Sequence, residues 1–530
     1  MSDRPDAVPS LREPQPVLPL RLALPVAALI LAVALGSLAW FYALGLTDLY
    51  GDALAHMEGA RRIFDSLTPG MGEIGSVWLP LFHLLAAPLA INNHLWRTGL
   101  AGSLISIAAL SGAAWFLFRL GLEMNGSIAA GFVALAGVLL CPNMLYLGST
   151  PMTEPLAIFW SVVTVYCLFR FQISGRTAWV ATAGSAAFLG TLTRYDEWYV
   201  LPFAALFILV ARRDRWRVRF RRAVLFSVIA GAGPFLWVLH DVLQSGNPLQ
   251  FYNGPDSAMA IYANQVATTA FRYPTDGSFL ISARYYLEDL KLVIGPWSLE
   301  LAVLGLIVWL IDRRLRSRRA AALLLLVPLP FYVQAMASAA VGLYVPTLVP
   351  GSYYNLRYGL EMLPAIALLP SFLVSSELPR KVRMGVLAGL ILILGAQGAF
   401  MVRKGAGALP VVTEAIRNTP CTTPADRTLV RFFARNYDGQ TILMQSGKWP
   451  CVAPSLGIPY RKILDASNRK YWLQLPQGPQ KWVEWIVRGT RGPVDMLMRA
   501  YPDSFGDFVP VYQKTFSNRQ TITIYRRKPA

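Results

Sequence analysis

Charge is what this sequence has least of. Asp, Glu, Lys and Arg make up 15% of its 530 residues, far below the roughly 25% of ordinary soluble domains. Hydrophobic residues make up 55%, with a mean hydropathy of +0.43. This excludes a soluble globular protein. Negative charge is the scarcer kind: 30 acidic against 49 basic residues, net +19, pI about 9.9. In a soluble chain that excess would point to nucleic acid. Here much of it falls in short loops between apolar runs, where it sets membrane topology, and a nucleic-acid partner is set aside.

Other absences narrow the reading. No small-residue cleavage site follows the first apolar run, which is therefore read as a retained helix. No internal repeat is visible, so the mark of many transporters is missing. Ionisable residues gather at the ends of the apolar runs, whereas a secondary transporter, one alternative, wants them near the bilayer midplane. A non-enzymatic membrane scaffold, the other alternative, gives no reason for the acidic loop described below.

About eleven apolar runs are present, most of them long enough to span: 23–46, 99–120, 127–147, 153–171, 178–193, 198–210, 223–243, 293–311, 320–343, 358–374 and 384–402. The fifth and sixth are short and are joined by the polar knot Arg194-Tyr195-Asp196-Glu197. Seven arginines in 212–222, five in 313–319 and the trio Arg380, Lys381 and Arg383 mark the cytoplasmic loops. Arg403 and Lys404 are a small violation. Residues 1–22, with five charges and five prolines in the first twenty, read as a disordered cytoplasmic leader. The amino terminus is then cytoplasmic, and 48–96, 244–296, 344–357 and the tail after Lys404 lie outside. All four histidines fall on or near that outer face.

The outer loop 47–97 carries the most chemistry. It begins TDLYGDALAHMEGARR, with Asp48, Asp52 and His56 each four residues apart, a spacing that lines them up on one helical face. Asp48 or Asp52 could equally cap the loop helix, and His56 could join them as a ligand for a divalent metal. Glu154 stands at a helix start, where a carboxylate could cap. Residues 405–530 turn polar and read as a small α/β domain, with strands at 441–444, 508–512 and 521–525 and helical periods at 428–436 and 481–488. An oxidising compartment would permit Cys421 and Cys451 to pair, though two cysteines supply no geometry. Cys141 and Cys167 fall in apolar runs and read as packing.

Four stretches carry a family resemblance: Gly51-Asp52-Ala53 through Ala60-Arg61-Arg62, Val77-Trp78-Leu79-Pro80-Leu81, Thr193-Arg194-Tyr195-Asp196-Glu197-Trp198 and Asn355-Leu356-Arg357-Tyr358. With the order of spans, outer loop and terminal domain, they resemble the GT-C class of polytopic glycosyltransferases, and within it the protein O-mannosyltransferase and aminoarabinose transferase group (glycosyltransferase family 39-like). The resemblance covers the membrane part, 23–404. It implies an all-α polytopic GT-C fold and transfer of a sugar, mannose-like or modified, from a polyprenyl phosphate with inversion. The acceptor would be protein, lipid or glycan on the outer face of a bacterial inner or plasma membrane.

Protein O-mannosyltransferases carry a paired Asp-Glu in this loop, whereas Asp52 is followed by Ala53 and Asp48 lies one turn earlier. Both remain candidate bases, with Asp52 the better match. A hydroxyl is a poor nucleophile at neutral pH, so a carboxylate must take its proton as the bond forms. A cation must meet the departing phosphate. Arg357 is the first candidate and Arg194 the second, since a guanidinium can fork two phosphate oxygens. Glu154 and Tyr354 complete the expected donor site. No metal ligand set is assigned.

Overall fold

The computed structural model describes residues 18–312, 319–517 and 519–529. The expected leader 1–22 lies outside the described residues apart from 18–22, and the basic cluster 313–319 lies outside them apart from Arg319.

Seven helices are long and apolar enough to cross a bilayer: Leu20–Ala43, Leu100–Asn125, Glu154–Ser174, Trp216–Ser245, Ala320–Ala337, Leu356–Val374 and Arg380–Val402. Two bent pairs bring the number to nine among the described residues: Ile128–Leu139 with Pro142–Gly148, bent by 70°, and Phe279–Val293 with Pro296–Ile311, bent by 112°. The other two of the eleven expected spans are the helices Thr177–Thr191 and Asp196–Val210, 15 residues each. At about 22 Å they fall short of a hydrocarbon core of about 30 Å.

The sharper bend has a local cause. Pro296 cannot continue the preceding helix, and Gly295 turns the chain at φ +105°. Gln397, from the last long helix, donates to Ile294 O at 2.8 Å and accepts from Ser298 N–H at 3.1 Å. The backbone groups freed by the break are thus satisfied inside the bundle. A Cβ at Gly295 would lie 2.2 Å from the Gln397 side chain, so glycine also makes room for the repair.

Contacts between chain-distant residues define the two ends of the bundle. At one end Tyr146 OH donates to Leu46 O at 2.9 Å and Asn143 accepts from Val411 N–H at 3.3 Å. At the other, Ser376 N–H meets Asn125 O at 3.1 Å and Arg212 meets Gln172 O at 2.7 Å. The arginine-rich turns 212–222 and 380–383 belong to this second end. The outer loop, with helices Gly51–Arg62, Leu81–Ala90 and Asn93–Arg97, belongs to the first. Asn92 caps the last of these, its side chain accepting from His94 and Leu95 N–H.

The tail packs onto that loop. Its five-stranded sheet runs Ile463–Leu464, Ile442–Leu443, Trp485–Gly489, Thr521–Arg527 and Phe508–Thr515 in spatial order. The first three strands are parallel and the last two antiparallel. The helical period expected at 428–436 is the helix Pro424–Asn436. The one expected at 481–488 is wrong: Trp485–Gly489 is the central strand, almost entirely buried. A strand covered on both faces is apolar without alternation, and over so few residues that pattern mimics a helical face.

Arg62 pins loop to tail. It donates to Asp465 at 2.9 Å and Ser446 at 3.1 Å, and also holds Glu58 and Glu73 at 3.0 and 2.7 Å. Cys421 and Cys451 form a disulfide across 30 residues of sequence. Closing a loop of that size constrains the unfolded tail by about 2–4 kcal/mol. Replacing both cysteines by serine should therefore lower the urea midpoint of tail unfolding and speed proteolysis within it. An unchanged midpoint would contradict this.

Candidate active site

Asp52 is the second residue of Gly51–Arg62, and Arg357 stands in the first turn of the helical stretch that opens at Leu356. Asn355, at φ +59°, turns the chain so that this stretch starts at the loop end of the bundle. The Arg357 guanidinium is divided among three carboxylates. Its Nη2 bonds Asp52 Oδ2, Nε donates to Glu154 Oε1 at 2.9 Å, and Nη1 to Glu414 Oε1 at 3.3 Å.

Arg194 approaches Glu154 from the other side, Nη1 to Oε1 at 3.1 Å. Its Nε lies 3.2 Å from Asp196 and 3.4 Å from Glu361, while Nη2 donates to Tyr332 OH at 3.1 Å. Tyr332 OH in turn donates to Asp196 at 2.9 Å. The Tyr358 ring lies between the two guanidiniums, 4.9 Å from Arg357 and 5.1 Å from Arg194.

Five carboxylates therefore face two guanidiniums, and exposure separates them. The side chains of Glu154, Glu414, Glu361 and Asp196 are 0–7% exposed, whereas that of Asp52 is 34% exposed. Four of the acids hold arginines in place, and one can exchange a proton with something arriving from outside. Next to Arg194, a small cleft is lined by Ser161, Asp196, Glu197 and Glu361 among apolar side chains.

Of the expected site residues, Asp52, Arg357, Glu154 and Arg194 are in one contact network. Tyr354 sits at its rim, 44% exposed, its backbone paired with Tyr344. Asp48 is elsewhere. The helix begins at Gly51, so Asp48 lies in the preceding turn and the expected common face of Asp48, Asp52 and His56 does not form. Asp48 packs against Gly99, and burial raises its carboxyl above the usual range. His56 is buried against Trp78 and paired with His83, Nδ1 to Nε2 at 3.1 Å. Burial holds His56 well below the ordinary histidine range and brings His83 down to about 4, so both rings are neutral near pH 7. His83 Nδ1 faces Leu79 O at 3.1 Å and must donate there, which leaves its Nε2 to accept from His56. Among the described residues, no group of three or more His, Cys, Asp or Glu is placed to hold a metal ion.

Glu414 has no counterpart among the residues singled out from the sequence. It stands on Pro410–Asn418, just past the last span, and accepts from Asn355 N–H at 2.8 Å and Leu356 N–H at 2.9 Å as well as from Arg357. A signal was present: in PVVTEAIRN the acid falls on the buried face of a strongly amphipathic helix. Burial pushes its carboxyl up to about 7, with Arg357 and the two amides opposing the rise. Above its ordinary 4.5 the unfolded chain has released a proton that the folded protein still holds. Stability therefore falls as pH rises from about 4.5 to about 7. Relative to wild type, Glu414→Gln should flatten the decline of the melting temperature across that window. Parallel curves would refute the assignment.

No protein-family model matches this sequence, and no curated protein does. Among the solved structures that resemble the fold over nearly its whole length, two are of ArnT. One is ArnT from Cupriavidus metallidurans bound to undecaprenyl phosphate: 14% identity, TM-score 0.53, covering 94% of this chain and 97% of that one. The other is ArnT from the same organism in the apo state: 14% identity, TM-score 0.52, covering 95% and 98%. With a long apolar bundle, a helical loop after the first span and a terminal domain closing over that loop, this chain has the GT-C fold, in the form that ArnT shows.

Proposed function

We propose that the protein is an inverting glycosyltransferase that moves a sugar from a polyprenyl phosphate to an acceptor on the outer face of the membrane. The observation that carries the reading is the convergence of Asp52, Glu154, Arg194 and Arg357, from four separate stretches of chain, at the end of the bundle opposite the arginine-rich turns. The positive-inside rule makes that end the outer one, with the amino terminus cytoplasmic. The ArnT structure with undecaprenyl phosphate supports a lipid-linked donor.

The geometry suggests an order of events. Among the described residues Asp52 is the least buried carboxylate on Arg357, so an incoming donor phosphate takes its place on Nη2. Arg357 and Arg194 then stabilise the charge left on the phosphate as the glycosidic bond breaks. Asp52, released, accepts the proton of the acceptor hydroxyl or amide. Glu154, bonded to both arginines, and Glu414 keep the guanidiniums aimed. Tyr354, at the rim, meets the donor. The surplus of carboxylates around the two arginines favours a neutral or amino sugar over a hexuronic acid, which would bring a further negative charge to the same cluster.

The test is turnover by the purified full-length protein of a polyprenyl-phosphate sugar, read as release of polyprenyl phosphate, with Asp52→Asn as control. Release that depends on Asp52 supports the reading. No turnover of any lipid-linked sugar, or turnover indifferent to both Asp52 and Arg357, overturns it.

A further inference from the structure

At the end of the bundle opposite the site, two arginines lie within spanning helices. Arg119 stands six residues before the end of Leu100–Asn125 and Arg170 four before the end of Glu154–Ser174. At about 1.5 Å per residue they are about 9 and 6 Å inside the helix ends, near headgroup depth and clear of the loops. Charge at that position needs a reason, because burying it in a span is costly.

Both guanidiniums turn to one carboxylate. Arg119 Nε donates to Glu123 Oε1 at 2.7 Å and Arg170 Nη1 to Glu123 Oε2 at 3.0 Å. Tyr166 OH donates to Glu123 at 3.0 Å and accepts from Arg119 Nη2 at 3.2 Å and Arg170 Nη1 at 3.3 Å. The Glu123 side chain is 1% exposed, but the arginines are 26% and 27% exposed. Arg170 also lies over the Trp179 ring at 5.1 Å.

A single ion pair between Arg119 and Glu123 would satisfy the buried acid. Among the described residues the second arginine leaves one positive charge uncompensated, on two oriented guanidiniums that share a carboxylate and a hydroxyl. Among the described residues Arg119 Nη1 and Arg170 Nη2 make no hydrogen bond, so donors from two neighbouring helices remain for a ligand with paired oxygens. The depth, the net charge and the flanking indole match the phosphodiester of a membrane lipid with its acyl chains along the helices.

We propose that Arg119 and Arg170, oriented by Glu123 and Tyr166, bind the phosphate headgroup of an anionic phospholipid in the leaflet opposite the active site.

The experiment is native mass spectrometry of the full-length protein, released from detergent after titration with phosphatidylglycerol or phosphatidylcholine. Wild type should retain phosphatidylglycerol in preference. Arg170→Gln, which leaves the Arg119–Glu123 pair and hence the fold in place, should weaken that retention about fivefold, and the double variant with Arg119→Gln by more. Arg215→Gln, removing a charge from the exposed and salt-screened basic turn, should change it less than Arg170→Gln does. Equal losses from Arg170→Gln and Arg215→Gln would mean a diffuse basic surface and overturn the proposal. So would undiminished retention in Arg170→Gln, or retention of inorganic phosphate, titrated in the same way, equal to that of phosphatidylglycerol. Should the double variant fail to fold, the single variant still decides.

Discussion

Asp52→Asn should reduce sugar transfer by about 10²–10⁴-fold while the protein still inserts, folds and binds donor. The factor is what general base catalysis supplies when the proton must leave as the bond forms. The fold should tolerate the change because Asp52 is the exposed partner in its cluster, its side chain 34% open, while Arg357 keeps Glu154 and Glu414. An amide can still accept from Arg357 but cannot take a proton from an acceptor. The decisive comparison is kcat against donor KM in the purified protein: kcat falls and KM stays within a few-fold. Full turnover in Asp52→Asn would move the base to Asp48 or elsewhere, and Asp48→Asn is then the next variant to assay.

Arg357→Ala should be more disruptive, because it removes more than a phosphate ligand. Glu414 would be left buried with only two amide donors, and Glu154 would keep Arg194 alone. Removing one partner of a buried ion pair costs about 3–5 kcal/mol, so this variant should show a lowered melting temperature together with lost donor use. Arg357→Lys separates the two effects. An ammonium keeps the charge but has no planar fork to reach three carboxylates and then a phosphate. It should fold, and its donor KM should rise by about 10- to 150-fold, the range for losing a charged hydrogen bond. Unchanged donor dependence in Arg357→Lys would transfer the phosphate role to Arg194.

The two variants probe one assembly whose parts differ in how they can be read. That Asp52 opens a loop helix follows from Tyr50-Gly51-Asp52 before a run with helical spacing. That Arg357 begins a late apolar run is visible in Asn355-Leu356-Arg357-Tyr358. Their pairing, across 305 residues, is not visible, since nothing local to either residue names its partner. The exclusion of Asp48 from the cluster likewise depends on where the helix starts: at Gly51 instead of one turn earlier, which sends Asp48 toward Gly99. Glu414 was hidden by context. It follows the last span in a stretch whose composition reads as tail, yet Val411, Val412 and Ala415 beside it pack into the same core as the spanning helices.

Composition and periodicity settle the membrane character, the apolar helices and the two ends of the bundle, because lipid imposes one requirement on every span: apolar side chains outside and paired backbone within. The same logic marks 405–530 as a different kind of structure. It cannot reach the central strand Trp485–Gly489, whose buried run is compatible with either regular structure until its neighbours are known. Nor can it reach the division of labour among five acids and two arginines, which rests on which carboxylate is left open to solvent. Exposure is a property of the packed whole, set by how the tail helix, the loop helix and three span ends close around one point.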